Sequence, residues 1–266
     1  MAGASHARRF VDNINMKFRL KAFGLHLLAS SVALSTILGT LFAGWYRWPG
    51  WYLTDVTTVV VVMVGVDIVL GPTLTLVIAR SDKARRVLAR DIAVIVVVQL
   101  CALVYGTVSL WNGRPLYYAF SENILQLVQA YDIDARESAL GLQQNPTLAP
   151  HWYSRPRWIW APLPQDAEVS RRIITSTLVG GDDVISMPRY FKPWEQGLPA
   201  LRAKLKKVDS VAYFAPSQKT KLKQRMHAAG LATDQPNVMP LTGRGHPLLA
   251  VFDPASAKIA AIFQVN

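Results

Sequence analysis

The sequence predicts a membrane protein: a three-helix transmembrane anchor joined to a mixed α+β extracytoplasmic domain. Three observations predict it. Gly24–Gly44, Val56–Ala79 and Ile92–Trp111 are apolar runs, each close to the ~20 residues a helix needs to cross the hydrocarbon of a bilayer. Basic residues flank those runs unequally. Residues 112–266 contain no comparable run, and they are numerous enough to bury a core of their own. The expected organisation is a cytoplasmic basic segment (1–23), a three-span anchor (24–111) and an extracytoplasmic α+β domain (112–266), in a multi-pass membrane protein.

Charge sets the expected orientation. Arg8, Arg9, Lys17, Arg19 and Lys21 precede the first run, and Arg80, Lys83, Arg85, Arg86 and Arg90 lie between the second and third. The segment between the first and second runs holds only Arg47, offset by Asp55. Lys and Arg beside a span stay in the cytoplasm. This puts the N-terminus and the second loop inside, and the first loop and residues 112–266 outside.

The first run is too long for the apolar core of a signal peptide. Leu41-Phe42-Ala43 also puts Leu where a cleavage site needs a small residue, so the run is expected to be retained. Met16 begins a plausible shorter product, and residues 1–15 are expected to be a disordered leader. Ser31, Ser35, Gly39 and Ala43 place small side chains on one helix face, which permits close helix contact within the bundle or with a partner helix. Trp45, Tyr46, Trp48, Trp51 and Tyr52 then crowd the first outer loop. With Trp111, Tyr117 and Tyr118 they suit an interfacial aromatic belt.

The second run carries Asp67 near its middle. A carboxylate there must face protein or be protonated. It is either an interhelical hydrogen-bond partner or a proton- or ion-linked site. Gly71-Pro72 follows. Pro72 has no N–H, so the carbonyl of Ile68 is expected to lose its helical donor and the span to kink. Gln99 in the third run lies at matching depth and is expected to donate its amide to a freed carbonyl. Asp67, Gly71, Pro72 and Gln99 are therefore the expected intramembrane structural set. Cys101, the single cysteine, excludes an intramolecular disulfide and is expected to pack as a small apolar residue.

Beyond the anchor, Leu116–Phe120 and Ile124–Ala130 read as strands about a turn at Glu122-Asn123. Asp132 or Asp134 is positioned to cap a helix through Leu142. A Pro-rich stretch with Trp152, Trp158 and Trp160 follows. If it is a strand, Trp158 and Trp160 share a face. Arg155, Arg157, Trp158 and Trp160 are the candidate partner-binding residues for a polypeptide or glycan, with core packing as the alternative for the tryptophans. Gln165–Leu178 reads as a helix. Leu198, Leu201, Leu205 and Val208 fall at helical spacing, and Ser217–Ala229 reads as a helix with Ser217 as N-cap and Gly230 as C-cap. Leu248–Asp253 and Ile259–Val265 read as a closing hairpin about Pro254–Lys258.

The net charge is +12. It divides between the anchor, where it follows the flanking pattern, and the domain, where it is either a solvated surface or an attraction for anionic lipid, wall polymer or acidic protein. Lys219, Lys221, Lys223 and Arg225 spread around more than one helix face, which does not focus a phosphate site. No nucleic-acid partner is expected. The five histidines are scattered, no cysteine pair exists for zinc, and neither G-x-S-x-G nor a phosphate-cradling Gly-rich loop occurs. Asp182-Asp183 after Gly180-Gly181 is expected to be a loop turn rather than a metal or glycosyl-transfer centre. No catalytic residue, metal or cofactor is expected.

VDIVLGPTLTLVI (Val66–Ile78), DIAVIVVVQLCALVYG (Asp91–Gly106) and GRPLYYAF (Gly113–Phe120) together resemble the TfpX/TfpZ-type type IV pilin accessory proteins. The positions that carry the resemblance are Asp67, Leu70, Gly71, Pro72, Asp91, Gln99, Tyr105, Gly106, Arg114 and Pro115. The match is dense over residues 17–135 and diffuse beyond. It implies a non-enzymatic inner-membrane accessory factor supporting pilin stability or pilus assembly. Its partners would be the lipid bilayer and type IV pilin, whose subunits wait in the membrane as helices with soluble heads. The alternative is a membrane enzyme acting on pilin or envelope glycans.

Overall fold

The computed structural model describes residues 2–80, 83–212, 214–253 and 256–265, with side chains from Asn15 onward. The chain divides into two compact units. One holds the residues up to Ala43 with Val56–Trp111; the other holds Gly44–Asp55 with the residues from Asn112.

The first unit is helical. Helix α1 spans Ala2–Gly44. The expected disordered leader over 1–15 is therefore helical from Ala2, consistent with the absence of Pro and Gly between Ala4 and Phe23. After the short helix α2 (Gly50–Leu53), helix α3 occupies Thr57–Ile78 and helix α4 Arg85–Asn112. Asn15–Gly44, Thr57–Ile78 and Arg85–Asn112 are long and apolar enough to cross a membrane. Most of their apolar side chains point outward, as bilayer-facing surfaces do: Leu25, Leu28, Val61, Val97 and Val104 are all exposed. The contacts that join the helices use small or polar groups. A Cβ on Gly106 would fall 2.5 Å from Met63, so glycine lets α3 and α4 approach. Arg19 donates from Nε to the carbonyl of Ala79 (3.0 Å) and from Nη2 to that of Val77 (3.2 Å), capping the C-terminus of α3.

The second unit is a seven-stranded mixed sheet covered on both faces. Its elements are β1 (Pro115–Ser121), β2 (Ile124–Gln129), α5 (Ala135–Gln144), β3 (Arg157–Trp160), α6 (Ala167–Leu178), β4 (Lys192–Pro193), α7 (Trp194–Lys204), α8 (Pro216–Ala228), β5 (Val238–Thr242), β6 (Leu248–Phe252) and β7 (Ile259–Gln264). The strand order is β4-β3-β1-β2-β5-β6-β7. The β1–β2 hairpin pairs antiparallel and turns through Glu122 at φ +50°. Parallel pairing joins β1 to β3 and β2 to β5, and the remaining neighbours are antiparallel.

Alternation along the strands sorts the core. Tyr118, Phe120, Leu125, Leu127, Met239, Leu241, Leu248 and Phe252 bury one face with Leu201 of α7. Tyr117, Ala119, Val128 and Ile159 face the other side with Ile173 of α6 and the turn through Val184–Met187. Leu222 and Met226 of α8 close over Val238, Leu249 and Val251.

The first outer loop is built into this unit. Leu53 is fully buried in the sheet core. Gly245 N–H donates to the Leu53 carbonyl at 2.7 Å and His246 N–H to that of Tyr52 at 3.3 Å. Tyr46 is also buried, whereas Trp48 and Trp51 stay exposed. The aromatic crowd expected to form a belt thus divides between core and surface.

Two local boundaries differ from expectation. Leu205 and Val208 lie beyond α7, the second in a 3₁₀ turn, though both pack against apolar clusters. Helix α8 starts with Pro216, so the residue before it is Ala215 and Ser217 is not the cap; a first-turn proline already has the required φ. The expected turn at Pro254–Lys258 falls partly outside the described residues, while β6 and β7 pair antiparallel as expected.

Candidate functional site

The helical unit concentrates its polar chemistry around a break in α3. Gly65–Leu70 forms a π turn in which the Gly71 N–H donates to the Val66 carbonyl, five residues back. The next donor in that register would be Pro72, which has none. That register leaves the Asp67 carbonyl without its donor, one residue before the Ile68 carbonyl that α-helical spacing singles out. Gln99 answers it: its Nε2 donates to the Asp67 carbonyl at 3.2 Å and approaches the Val66 carbonyl at 3.5 Å. Gly71 makes room, since a Cβ there would fall 2.0 Å from Nε2. Asp67, Gly71, Pro72 and Gln99 thus meet at one point.

Two partners of this region escaped the sequence reading. His26 Nδ1 lies 2.6 Å from Thr75 Oγ1, and Arg19 serves as the cap described above. Basic residues before a span read as an orientation signal, which masks such a structural duty. With the Gln99 nitrogen committed to carbonyls, its Oε1 is an acceptor. Gln99 Oε1 and Asp67 Oδ2 are both buried, and neither has a donor among the described residues. The two residues line a cavity of about 210 Å³ whose wall also includes Ala29, Ser30, Ala33 and Leu100. On the small-residue face of α1, Ser31 is half-buried while Ser35, Gly39 and Ala43 are exposed, and nothing lies within 4 Å of a Cβ on Gly39.

The sheet unit carries an aromatic and basic groove of about 420 Å³, bordered by Trp45, Arg47, Trp48, Arg155, Trp158 and Ile262. The curl of the sheet brings β3 and β7, five strands apart, to the same groove. Trp158 stacks on Tyr118 with ring centroids 4.6 Å apart and also contacts Trp194 at 5.3 Å. The Trp45 indole N–H donates to the Ser154 carbonyl at 2.6 Å. Burial pushes the Tyr118 hydroxyl far above the usual phenol range, so it stays protonated.

The four candidate partner-binding residues separate. Arg155 is exposed at the groove. Arg157 points to the opposite face, where it donates to the carbonyls of Thr147 (2.8 Å) and Ala149 (3.2 Å) and lies over the Tyr117 ring. Trp158 and Trp160 share a face as strand alternation requires, and both are half-buried against the core. Trp160 also fills the space a side chain on Gly197 would need. Beside the groove residue Arg155, Trp152 and Tyr153 are the more exposed aromatics, at 73% and 58%.

The paired acids lie in an irregular segment between the turn at Val179-Gly180 and the 3₁₀ turn Val184–Ser186. Asp182 is exposed and Asp183 half-buried, after Gly180 at φ +80°. No group of three or more His, Cys, Asp or Glu side chains converges as metal ligands among the described residues. The buried carboxylate of Glu137 instead pairs with Arg189 at 3.1 Å. Burial raises its pKa, and Arg189 opposes that rise.

The chain is similar to three proteins of Dichelobacter nodosus. It is 23% identical to "Fimbrial assembly protein, serogroup E1" over 228 residues, covering 84% of this chain and 86% of the relative. It is 22% identical to "Fimbrial assembly protein, serogroup I" over the same length and shares. With "Fimbrial assembly protein, serogroups C1 and C2" it shares 26% identity over 116 residues, which is 44% of this chain and 88% of that one. No protein-family model and no solved structure matches the chain.

Proposed function

We propose that this protein is a membrane-anchored accessory factor of type IV pilus assembly, of the TfpX/TfpZ type, that binds pilin and does no chemistry on it. One observation carries the reading: the similarity to fimbrial assembly proteins covers 84% of the chain, too much to lie within the helical unit or the sheet unit alone. The distribution of basic residues supports an inner-membrane orientation with the N-terminus in the cytoplasm and the sheet domain in the periplasm. In this reading the bundle meets the membrane helix of pilin, and the surface around Arg155, Trp158, Trp152 and Tyr153 meets its soluble head. Asp182 is exposed, and Asp183 shares the border of its cavity with Glu122 as the only other acid lining it among the described residues; a hydrolytic or transfer site needs more convergent polar groups than that, which favours binding over catalysis.

The test is complementation. Deleting the gene lowers surface piliation, and re-expression of Asp182→Asn/Asp183→Asn restores it. Should that variant fold and co-purify with pilin yet leave the cells bald, a membrane enzyme acting on pilin or glycan replaces the binding role.

A further inference from the structure

We propose that the cavity lined by Asp67 and Gln99 is a docking groove for a partner's membrane-spanning helix, and that the helix inserts a hydrogen-bond-donating side chain toward these two residues. This rests on the reading above, which makes pilin the partner.

Three observations carry it. Asp67 and Gln99 are 4% and 6% exposed, so both are more than nine-tenths buried. Asp67 Oδ2 and Gln99 Oε1 lack a donor among the described residues. Gln99 cannot reverse its amide to relieve this, because its nitrogen is held by the carbonyls of the π turn. An orphaned acceptor is costly in a low-dielectric surrounding, which makes the pair selective for a donor.

The groove's rim defines the occupant. Ala29 and Ala33 of α1 and Val96 and Leu100 of α4 border the cavity and are themselves exposed. All belong to helices apolar enough to span a bilayer. A site that opens between two spans is reached from within the membrane, by a lipid chain or another helix. Only the helix brings a donor. Alanines on one wall let its backbone approach, as close helix packing requires. The side chain that fits is a hydroxyl, amide or ammonium at the depth of Asp67.

The experiment uses the full chain in native membranes with its pilin. A photoreactive p-benzoylphenylalanine is placed at Ala33 or Leu100 for the groove, and at Trp152 for the sheet domain. The expected result is a pilin adduct from all three positions. Asp67→Leu, which removes the carboxylate and leaves Gln99 Oε1 as the remaining acceptor, lowers the groove adducts roughly fivefold to tenfold, the worth of one interhelical polar contact. It leaves the Trp152 adduct unchanged, which shows that the sheet domain folds, and unchanged protease resistance of the three long helices shows the same of the helical unit. Asp67→Asn, which keeps one acceptor oxygen, retains the groove adducts. An adduct from Trp152 with none from the groove overturns the docking site and leaves pilin binding intact. Groove adducts indifferent to Asp67→Leu overturn the donor requirement. No adduct from any position removes the binding reading, and the docking site with it.

Discussion

The Gln99 side-chain amide donates to the main-chain carbonyl of Asp67, which the π register and Pro72 together leave without its helical donor. A side chain of α4 completes the backbone of α3. Gly71 is part of the same arrangement, because its missing side chain is where the amide sits.

The first prediction follows from that shared space. Gln99→Leu leaves the carbonyl unpaired and should lower stability by about 1–3 kcal/mol. Gly71→Ala should displace the Gln99 amide and cost a similar amount. The double variant should be no worse than the poorer single one, since both remove the same bond. Protease resistance and thermal melting of the four proteins in detergent measure this. Additive losses would mean that the two residues act separately.

The candidate binding arginines should behave oppositely. Arg157→Ala removes two donors from the carbonyls of Thr147 and Ala149 and a cation from the Tyr117 ring, so it should destabilise the sheet domain by about 1–3 kcal/mol. Exposed Arg155→Ala should change stability by no more than about 0.5 kcal/mol while weakening pilin co-purification. A stability loss at Arg155 with none at Arg157 would reverse the assignment.

Helix α6 should loosen in acid. Asp166 accepts from the backbone N–H groups of Val169 and Glu168, and these bonds hold its pKa below the usual carboxylate value. A carboxylate depressed in the folded state stabilises above its unfolded value, about pH 4. That support fades as pH falls from there through the depressed value. Amide exchange in the first turn of α6 should quicken over this window in the wild type and much less in Asp166→Asn, whose cap does not titrate. Identical acid profiles for the two proteins would count against the cap.

Topology has a direct readout. Alkaline phosphatase fused at the C-terminus should be active, and a fluorescent cytoplasmic reporter there should be dark. The reverse pair of results would invert the orientation proposed from the basic residues.

The parts of this molecule that were legible in the sequence are those written in local pattern. Apolar length gave the three long helices. Alternation with a turn gave β1–β2 and β6–β7, and Asp134 capped its helix as spacing suggested. The edge strand β4 is only two residues long. In β5, Pro240 hid a strand within the sheet. It is tolerated because pairing with β2 starts only at Leu241. The intramembrane site was legible in its members and in the Gln99 amide that meets a main-chain carbonyl; the π turn that makes this the carbonyl of Asp67 was not, because apolar patterning does not distinguish π from α register. The role of Arg157 depended on carbonyls ten and eight residues upstream, a relation that periodicity does not encode.

The incorporation of Gly44–Asp55 into the sheet domain bears on how the protein can be made. Leu53 occupies the sheet core, yet it is synthesised before two of the three long helices and before every strand. Backbone at Tyr52, Leu53 and Asp55 lies where a side chain on Gly243 or Gly245 would have to go. The domain is therefore discontinuous in the chain, and its assembly joins segments nearly 200 residues apart. Such long-range closure is slow relative to local helix formation. During biogenesis the short early segment must wait as a loop between two helices until the last strands arrive to enclose it. A soluble fragment starting at Asn112 would carry the strands but not the leucine they close around.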